Sequence, residues 1–286
     1  MEPLLATLRN LRRPYRDLVE LAVSNNVTHE GQRDILLFSG VQRFRLFEQP
    51  KNVPFGVNLI SALKIASGSH LLLMGDDDLI STTGVEHLVD FLKETPRRAY
   101  LLALSPGDSQ PRGFVKERYL YMRSGSMMGL CFPNDEELIR KLDQRVTEQP
   151  TLLYPQVLLA ISYSRKYGPA ENLDSIQVAC GLGAPSISDR FFDHMGRPLN
   201  FGIDERLRHA DELTKSWPFG AIRRTLWRIS LLKWANGIYV GLIHEGNSEL
   251  GEIFASQVSQ SMDRLSPERF YWSQFLRVKH EKPADA

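Results

Sequence analysis

Apolar positions in the first hundred residues switch repeatedly between helical and extended spacing. Leu4, Leu5, Leu8 and Leu11 recur as one face of a helix, which Pro14 is expected to end. Asp17 to Val23 reads as a strand that runs into the polar stretch Ser24 to Gly31. Arg33 to Ser39 reads as a helix or an irregular strand, and Arg43 to Gln49 alternates Phe44 and Leu46 with Arg45 and Glu48, as a short strand does. Asn58 to Ser67 predicts a helix with Leu59, Leu63 and Ala66 on one face and Gly68 at its end. His70 to Met74 is short and wholly apolar, the signature of a strand buried on both faces. Gly75 then turns the chain into Asp76, Asp77 and Asp78. A helix over Gly84 to Glu94 and a strand over Tyr100 to Leu104 complete an alternation that argues for a mostly parallel sheet covered by helices.

Beyond Leu104 the punctuation is denser. Ser105 to Gly113 carries Ser, Pro and Gly at loop density. Tyr119 to Met122 suits a strand or a helix start, and Leu130 to Phe132 a strand. Asn134 is the expected cap of a helix over Glu136 to Leu142. Pro155 to Tyr167 predicts a helix with Pro in its first turn and Gly168 after its end, and Leu173 to Cys180 a strand. From Gly181 the pattern changes to a Gly/Pro/Ser linker and then to aromatic-rich helices. Two regions are expected, residues 1–185 and a mainly helical 186–286.

Composition narrows the class only slightly. The 286 residues are 42% hydrophobic with a formal charge of +1, which supplies a core but no global field for nucleic acid. Cys131 and Cys180 are far apart and outside any C-x-x-C pair, which speaks against zinc and for a reducing, cytoplasmic compartment. No apolar run reaches the roughly 18 to 20 residues of a membrane span. The helix expected over Ala221 to His244 interleaves Trp227, Trp234 and aliphatic residues with Arg223, Arg224, Arg228 and Lys233. It reads either as a core helix or as a peripheral contact with the inner membrane face.

The chemistry gathers in two places. Ligands of open α/β sheets bind beyond the carboxyl ends of strands. Three adjacent carboxylates there repel one another and suit a hard divalent cation, with a solvated, helix-capping turn as the plainer reading. The Asn25–Asn26 loop after the early strand is a second candidate, equally readable as an ordinary turn.

In combination these residues resemble family 2 glycosyltransferases. Ala22-Val23-Ser24-Asn25-Asn26-Val27-Thr28 with Gly31 is similar to the family's V-S-D-N-x-S-x-D-G loop. Asn52, Gly56 and Asn58 resemble N-x-G-x-x-x-N at changed spacing. Ala66-Ser67-Gly68-Ser69-His70 resembles A-x-G-x-Y, and Met74-Gly75-Asp76-Asp77-Asp78 the acidic motif. The G-D-D-D form looks most like the branch holding abequosyltransferase-type enzymes of surface polysaccharide synthesis. The resemblance implies a GT-A fold: a Rossmann-like, nucleotide-diphospho-sugar transferase α/β mixed sheet flanked by helices, here with a helical C-terminal extension. It implies a nucleotide-diphosphate sugar donor held by Asn25, Asn26, Asn52, Asn58 and Asp76. It also implies Mn²⁺ or Mg²⁺ on Asp77 and Asp78, and a saccharide or lipid-linked acceptor, with no nucleic acid involved. The expected activity is glycosyl transfer in cell-surface polysaccharide synthesis.

Three departures qualify the match. The family's opening strand, of the form V-S-I-I-I-P-T-Y-N, has no counterpart ahead of the first helix. The Asp of the S-D-N loop is Asn25, which offers an amide in place of a charge. Tyr154-Pro155-Gln156 stands where inverting members carry a Glu-Asp pair, so the catalytic base is unassigned; Asp189, Asp193 and His194 are substitutes that more often cap or face solvent. A non-catalytic homologue acting as a binding or scaffold subunit is the competing expectation. A two-metal nucleotidyltransferase ranks third, because no Gly-rich phosphate loop precedes the acids.

Overall fold

The computed structural model describes residues 2–26, 32–37, 39–75, 78–95, 97–104, 113–125, 127–150, 152–180, 203–215, 220–262 and 266–280. Asp76, Asp77, the 181–188 linker, Asp189, Asp193 and His194 lie outside them. The chain divides into two compact units, Met1–Ala184 and Pro185–Ala286.

The first unit runs α1 (Glu2–Arg9), α2 (Arg13–Arg16), β1 (Leu21–Asn25), α3 (Gln32–Leu37), β2 (Phe44–Glu48), α4 (Phe55–Ile65), β3 (His70–Leu73), β4 (Asp78–Ile80) and α5 (Thr82–Glu94). It continues with β5 (Tyr100–Leu104), β6 (Gly113–Phe114), α6 (Glu117–Arg123), β7 (Leu130–Pro133), α7 (Glu136–Glu148), α8 (Pro155–Tyr167) and β8 (Glu171–Cys180). β1 and β2 form a parallel pair with Leu21 opposite Phe44 and Asn25 opposite Glu48. The other six strands form a separate sheet in the order β3-β7-β5-β8-β4, with β6 also on β8. Only β5–β8 is parallel in that sheet, whereas β3–β7, β4–β8, β5–β7 and β6–β8 are antiparallel. The mostly parallel sheet expected from alternation is instead a mixed one, with parallel pairing limited to β1–β2 and β5–β8 among the described strands. Strands β7 and β8 return from the far side of the chain and insert between earlier ones, a pairing that periodicity does not encode.

Local chemistry explains several boundaries. Pro14 does not end a long helix; it sits in the first turn of the short α2, where a missing N–H costs nothing. The first strand begins at Leu21, not Asp17, because Leu18 and Val19 donate to Tyr15 O and close the turn behind α2. Ser81 Oγ accepts Gly84 N–H at 2.9 Å and caps α5. Asp135, not Asn134, caps α7: its Oδ1 accepts Leu138 N–H at 3.1 Å. Asn134 instead donates to Ala66 O and Gly68 O, tying the end of β7 to the entry of β3. Helix α4 stops at an extended Ala66, two residues before Gly68.

Strand β7 shows how the core is divided. Leu130, Cys131 and Phe132 are all buried, as a strand covered on both faces requires. Cys131 joins Leu8, Leu11, Val85, Leu88, Tyr100 and Val178 in one cluster beneath α1 and α5. Phe132 points the other way and stacks on Tyr163 of α8 with ring centroids 4.8 Å apart.

The second unit contains α9 (Ile203–Thr214), α10 (Gly220–His244), α11 (Ser248–Gln260) and α12 (Pro267–His280). Helix α10 packs against the other three through Trp227, Leu231, Leu232, Ala235, Ile238 and Leu242, a stripe at helical spacing. Ile222, Leu226, Trp234 and Ile243 on the same helix remain exposed.

Candidate functional site

A cavity of about 680 Å³ opens in the first unit between β1, β3, α1, α4 and α5. Its walls are apolar for most of their length, with Leu21, Val23, Leu63, Leu71 and Leu73 among them. At the carboxyl end of β1 the lining turns polar, at Ser24, Asn25, Asn26 and Asn58. Three of the five expected donor contacts are thus brought together, and their surroundings differ.

Asn25 is the last residue of β1 and is 8% exposed. Its backbone O accepts Gln49 N–H at 2.9 Å, but its side-chain Oδ1 is buried with no hydrogen-bond partner among the described residues. An amide oxygen left so carries a desolvation cost that a ligand donor would remove. Asn26 is already committed: it donates to Val53 O and accepts Val53 N–H, both at 2.8 Å. That strand-like clamp holds the loop before α4. Asn58, in the first turns of α4, accepts Ser24 Oγ–H at 2.7 Å.

The fourth polar partner escaped sequence reading. Gln49 is 6% exposed, and its Nε2 reaches Ser61 Oγ at 2.8 Å, Ser24 Oγ at 3.1 Å and Asn58 Oδ1 at 3.5 Å. The available signal was its place one residue beyond an alternating strand, directly before Pro50. Asn52 lies apart from this group, exposed on the loop and not among the cavity lining.

Past the carboxyl end of β3, Gly75 and Asp78 are joined by two hydrogen bonds. Gly75 N–H donates to Asp78 Oδ2, and Asp78 N–H donates to Gly75 O at 3.3 Å. Asp78 is 6% exposed and opens strand β4, opposite Cys180 of β8. It therefore starts a strand rather than capping a helix, and its carboxylate is tied back to the backbone at the end of β3. Among the described residues no group of three or more His, Cys, Asp and Glu side chains is placed to hold a metal. Gln156, where a carboxylate pair was sought, is 3% exposed and donates to Gly125 O at 3.1 Å. Its Oε1 is buried with no hydrogen-bond partner among the described residues, and an amide takes no proton at neutral pH.

His70 enters β3 from the opposite end of the strand. Its Nδ1 lies 3.2 Å from Ser69 Oγ, and its buried Nε2 has no partner among the described residues. Burial, helped by the charge of Arg97, lowers its pKa, so the imidazole is neutral near pH 7.

No curated protein sequence matches the chain. Solved structures do. TarS 1–349 of S. aureus in complex with UDP-GlcNAc superposes with a TM-score of 0.54 at 14% identity, over 95% of this chain and 82% of that one. The same protein in complex with UDP gives 0.54 at 13% identity, over 95% and 81%. A mannosyltransferase from Pyrobaculum calidifontis, in complex with GDP-Man and Mn²⁺, gives 0.50 at 14% identity, over 92% and 76%. These likenesses establish the GT-A fold. The model of glycosyl transferase family 2 matches residues 2–149, just over half of the sequence, and the chain belongs to that family.

Proposed function

We propose that this chain transfers a sugar from a nucleotide-diphosphate donor to a saccharide or lipid-linked acceptor, in the assembly of a cell-surface polysaccharide. The observation that carries this reading is the unpartnered, buried Oδ1 of Asn25 at the carboxyl end of β1. That is where an α/β sheet binds its ligand, and a nucleobase N–H is a donor of the right kind for it. Family membership and the nucleotide-sugar complexes of the two similar proteins support the same reading.

In this proposal Asn25 meets the base, while Asn26 and Asn58 hold the loop and helix that frame it. Asp76 faces the donor's ribose or sugar, and Asn52 closes over the donor from the exposed loop. Asp77 and Asp78 hold Mn²⁺ or Mg²⁺; the fit rests on Asp78, a hard oxygen donor that its hydrogen bonds with Gly75 keep beside the carboxyl end of β3. The ion, when bound, neutralises charge developing on the diphosphate leaving group. The exposed side of α10, with Ile222, Leu226, Trp234, Arg223 and Lys233, would rest on an anionic membrane at the cytoplasmic face, near a lipid-linked acceptor. No helix among the described residues is long and apolar enough to cross a membrane. The amide of Gln156 at the expected base position favours a second reading, a donor-binding subunit without transferase activity.

A thermal-shift panel of UDP, GDP and other nucleoside diphosphates, with and without Mn²⁺, tests the proposal. A nucleotide at about a hundred times its Kd should raise the melting temperature by roughly 5 °C, and only with metal present. Asp77→Ala should abolish that rise. A panel in which no nucleotide shifts the transition would sink the reading. A shift without sugar transfer would select the binding-subunit alternative.

A further inference from the structure

Arginines gather at the amino end of β1, four strand steps or about 13 Å from Asn25. Arg9 ends α1, Arg13 and Arg16 begin and end α2, and Arg43 directly precedes β2. Leu21 N–H donates to Arg43 O at 3.0 Å, which seats Arg43 beside the start of β1. A depression of about 10 Å³ lies there, with Arg16, Arg43 and Gly40 around it and the buried Leu8 and Leu11 beneath. Gly40 turns at φ +74°, and the side chain of Arg9 passes beside it: Arg9 Cδ stands 3.5 Å from the place a Cβ would take. Three guanidinium-bearing side chains thus converge on one turn.

Two of them are fixed without being neutralised. Arg16 Nε donates to Leu11 O and Arg43 Nη1 to Asp17 O. Backbone carbonyls therefore hold both guanidinium planes, and neither group forms an ion pair among the described residues. A guanidinium carries five N–H donors, so each keeps several for a ligand. The surrounding acids are engaged or turned to solvent. Glu2 pairs with Arg9, Glu20 with Arg45 and Ser67, and Glu86 with Arg12, while Asp17 is exposed. Like charges held side by side repel, and an anion placed among them converts that cost into binding.

We propose that Arg9, Arg16 and Arg43 form a binding site for a phosphoryl group. The planar fork of arginine matches paired phosphate oxygens, and the resulting bonds are charge-assisted. The depression has room for about one oxygen-sized group, so it does not enclose a metabolite. It suits a phosphate held at the surface through its oxygens, either free in solution or on a lipid headgroup. Leu18, 54% exposed and adjacent to the Asp17 carbonyl that holds Arg43, is an apolar neighbour that only the lipid would use. The site occupies the end of β1 opposite Asn25 and is independent of the donor reading above.

The test follows the arginine Nε–H resonances of the isotope-labelled full chain in about 0.15 M salt, where diffuse attraction is screened. Inorganic phosphate is titrated first, then dihexanoyl phosphatidylglycerol kept below its micelle concentration, with dihexanoyl phosphatidylcholine as the uncharged-headgroup control. The signals of Arg9, Arg16 and Arg43 should move together with one Kd. Those of Arg13 and Arg97, both exposed and outside the cluster, should stay. Arg16→Gln and Arg43→Gln should each weaken binding by about tenfold or more, and Arg13→Gln by about twofold at most. Binding of phosphatidylglycerol tighter than phosphate by about tenfold or more, on the scale of one good contact, assigns a lipid headgroup. A smaller difference assigns free phosphate; both results support the site. No movement with either ligand, or equal movement of all five arginines, overturns it. So does undiminished binding in the folded glutamine variants. Should those variants not fold, the pattern of shifts in the unaltered chain decides by the same criteria.

Discussion

Ser24 Oγ donates to Asn58 Oδ1 at 2.7 Å and so joins the end of β1 to the first turns of α4. Gln49 closes the triangle from the end of β2. The three side chains hold two strands and a helix in one polar knot, next in sequence to Asn25, whose Oδ1 has no partner among the described residues. The knot is buried or half-buried, so each member depends on the others for its hydrogen bonds.

Asn58→Leu should break this knot. Ser24 loses its acceptor and Gln49 one of three, and leaving buried polar groups unpaired costs about 1–3 kcal/mol. Urea unfolding should show that loss at unchanged m-value. Asn58→Asp, which keeps an acceptor oxygen in the place of Oδ1, should lie near the parent. Equal losses in the two variants would mean that packing, not hydrogen bonding, sets the contribution of this residue.

Gly129 precedes β7 with φ +72°. Its N–H donates to Leu73 O and its O accepts Leu102 N–H, so it bridges β3 and β5. A Cβ here would stand 2.8 Å from Val178 Cγ2 and 3.1 Å from Leu102 Cβ, inside the core. Gly129→Ala combines a left-handed backbone with overpacking and should destabilise by about 2–3 kcal/mol. A chemical melt within 0.5 kcal/mol of the parent, on the order of an inert surface change, would show that the strands shift freely.

Much of this architecture was readable in the residues, for definable reasons. Elements whose signal is local came through: the apolar face of α5, the Pro-to-Gly span of α8 with Gly168 at φ +92°, and the short apolar β3. Strand order did not, because the return of β7 and β8 beside β3 and β5 is set by long-range packing. In the candidate site four asparagines stood out by motif; Asn25, Asn26 and Asn58 line one cavity, and Asn52 does not. What each does there was hidden. Only the fold reveals that Asn26 is consumed by Val53 while Asn25 Oδ1 is not, or that Gln49 turns inward past the end of its strand.

Asp135 links acid stability to one cap. Burial alone would raise its pKa, but Lys166 Nζ at 2.7 Å, Tyr167 Oη–H at 2.6 Å and Leu138 N–H together outweigh burial and hold it at about 2. The folded carboxyl thus releases its proton more readily than the unfolded one, which titrates near 3.9. Its stabilisation is complete above about pH 3.9 and is lost as pH falls toward 2. Because Lys166 is 38% exposed, solvent screening reduces the contribution to about 1–2 kcal/mol. Asp135→Asn should cost that amount at pH 7 and show a flatter stability profile between pH 4 and 2. Parallel profiles in parent and variant would remove Asp135 from the account of acid unfolding.

His70 titrates with the opposite consequence for the charged form. Burial, and secondarily Arg97, hold its folded pKa below the ordinary value of 6.5. The unfolded chain therefore takes up a proton that the folded chain refuses. Stability from this group is complete above about pH 6.5 and declines as pH falls from there to the folded pKa, by at most about 1.4 kcal/mol per unit. Lys and Arg behave differently, because they gain partners when charged; His70 Nε2 is buried and has none among the described residues. His70→Phe keeps the ring volume on β3 and removes the titration. Urea melts at pH 7.5, 6.5 and 5.5 should show the parent losing stability over this range faster than the variant. If both lose it at the same rate, the proton is being taken up elsewhere, and the imidazole at the entry of β3 is accessible enough to charge in the folded state.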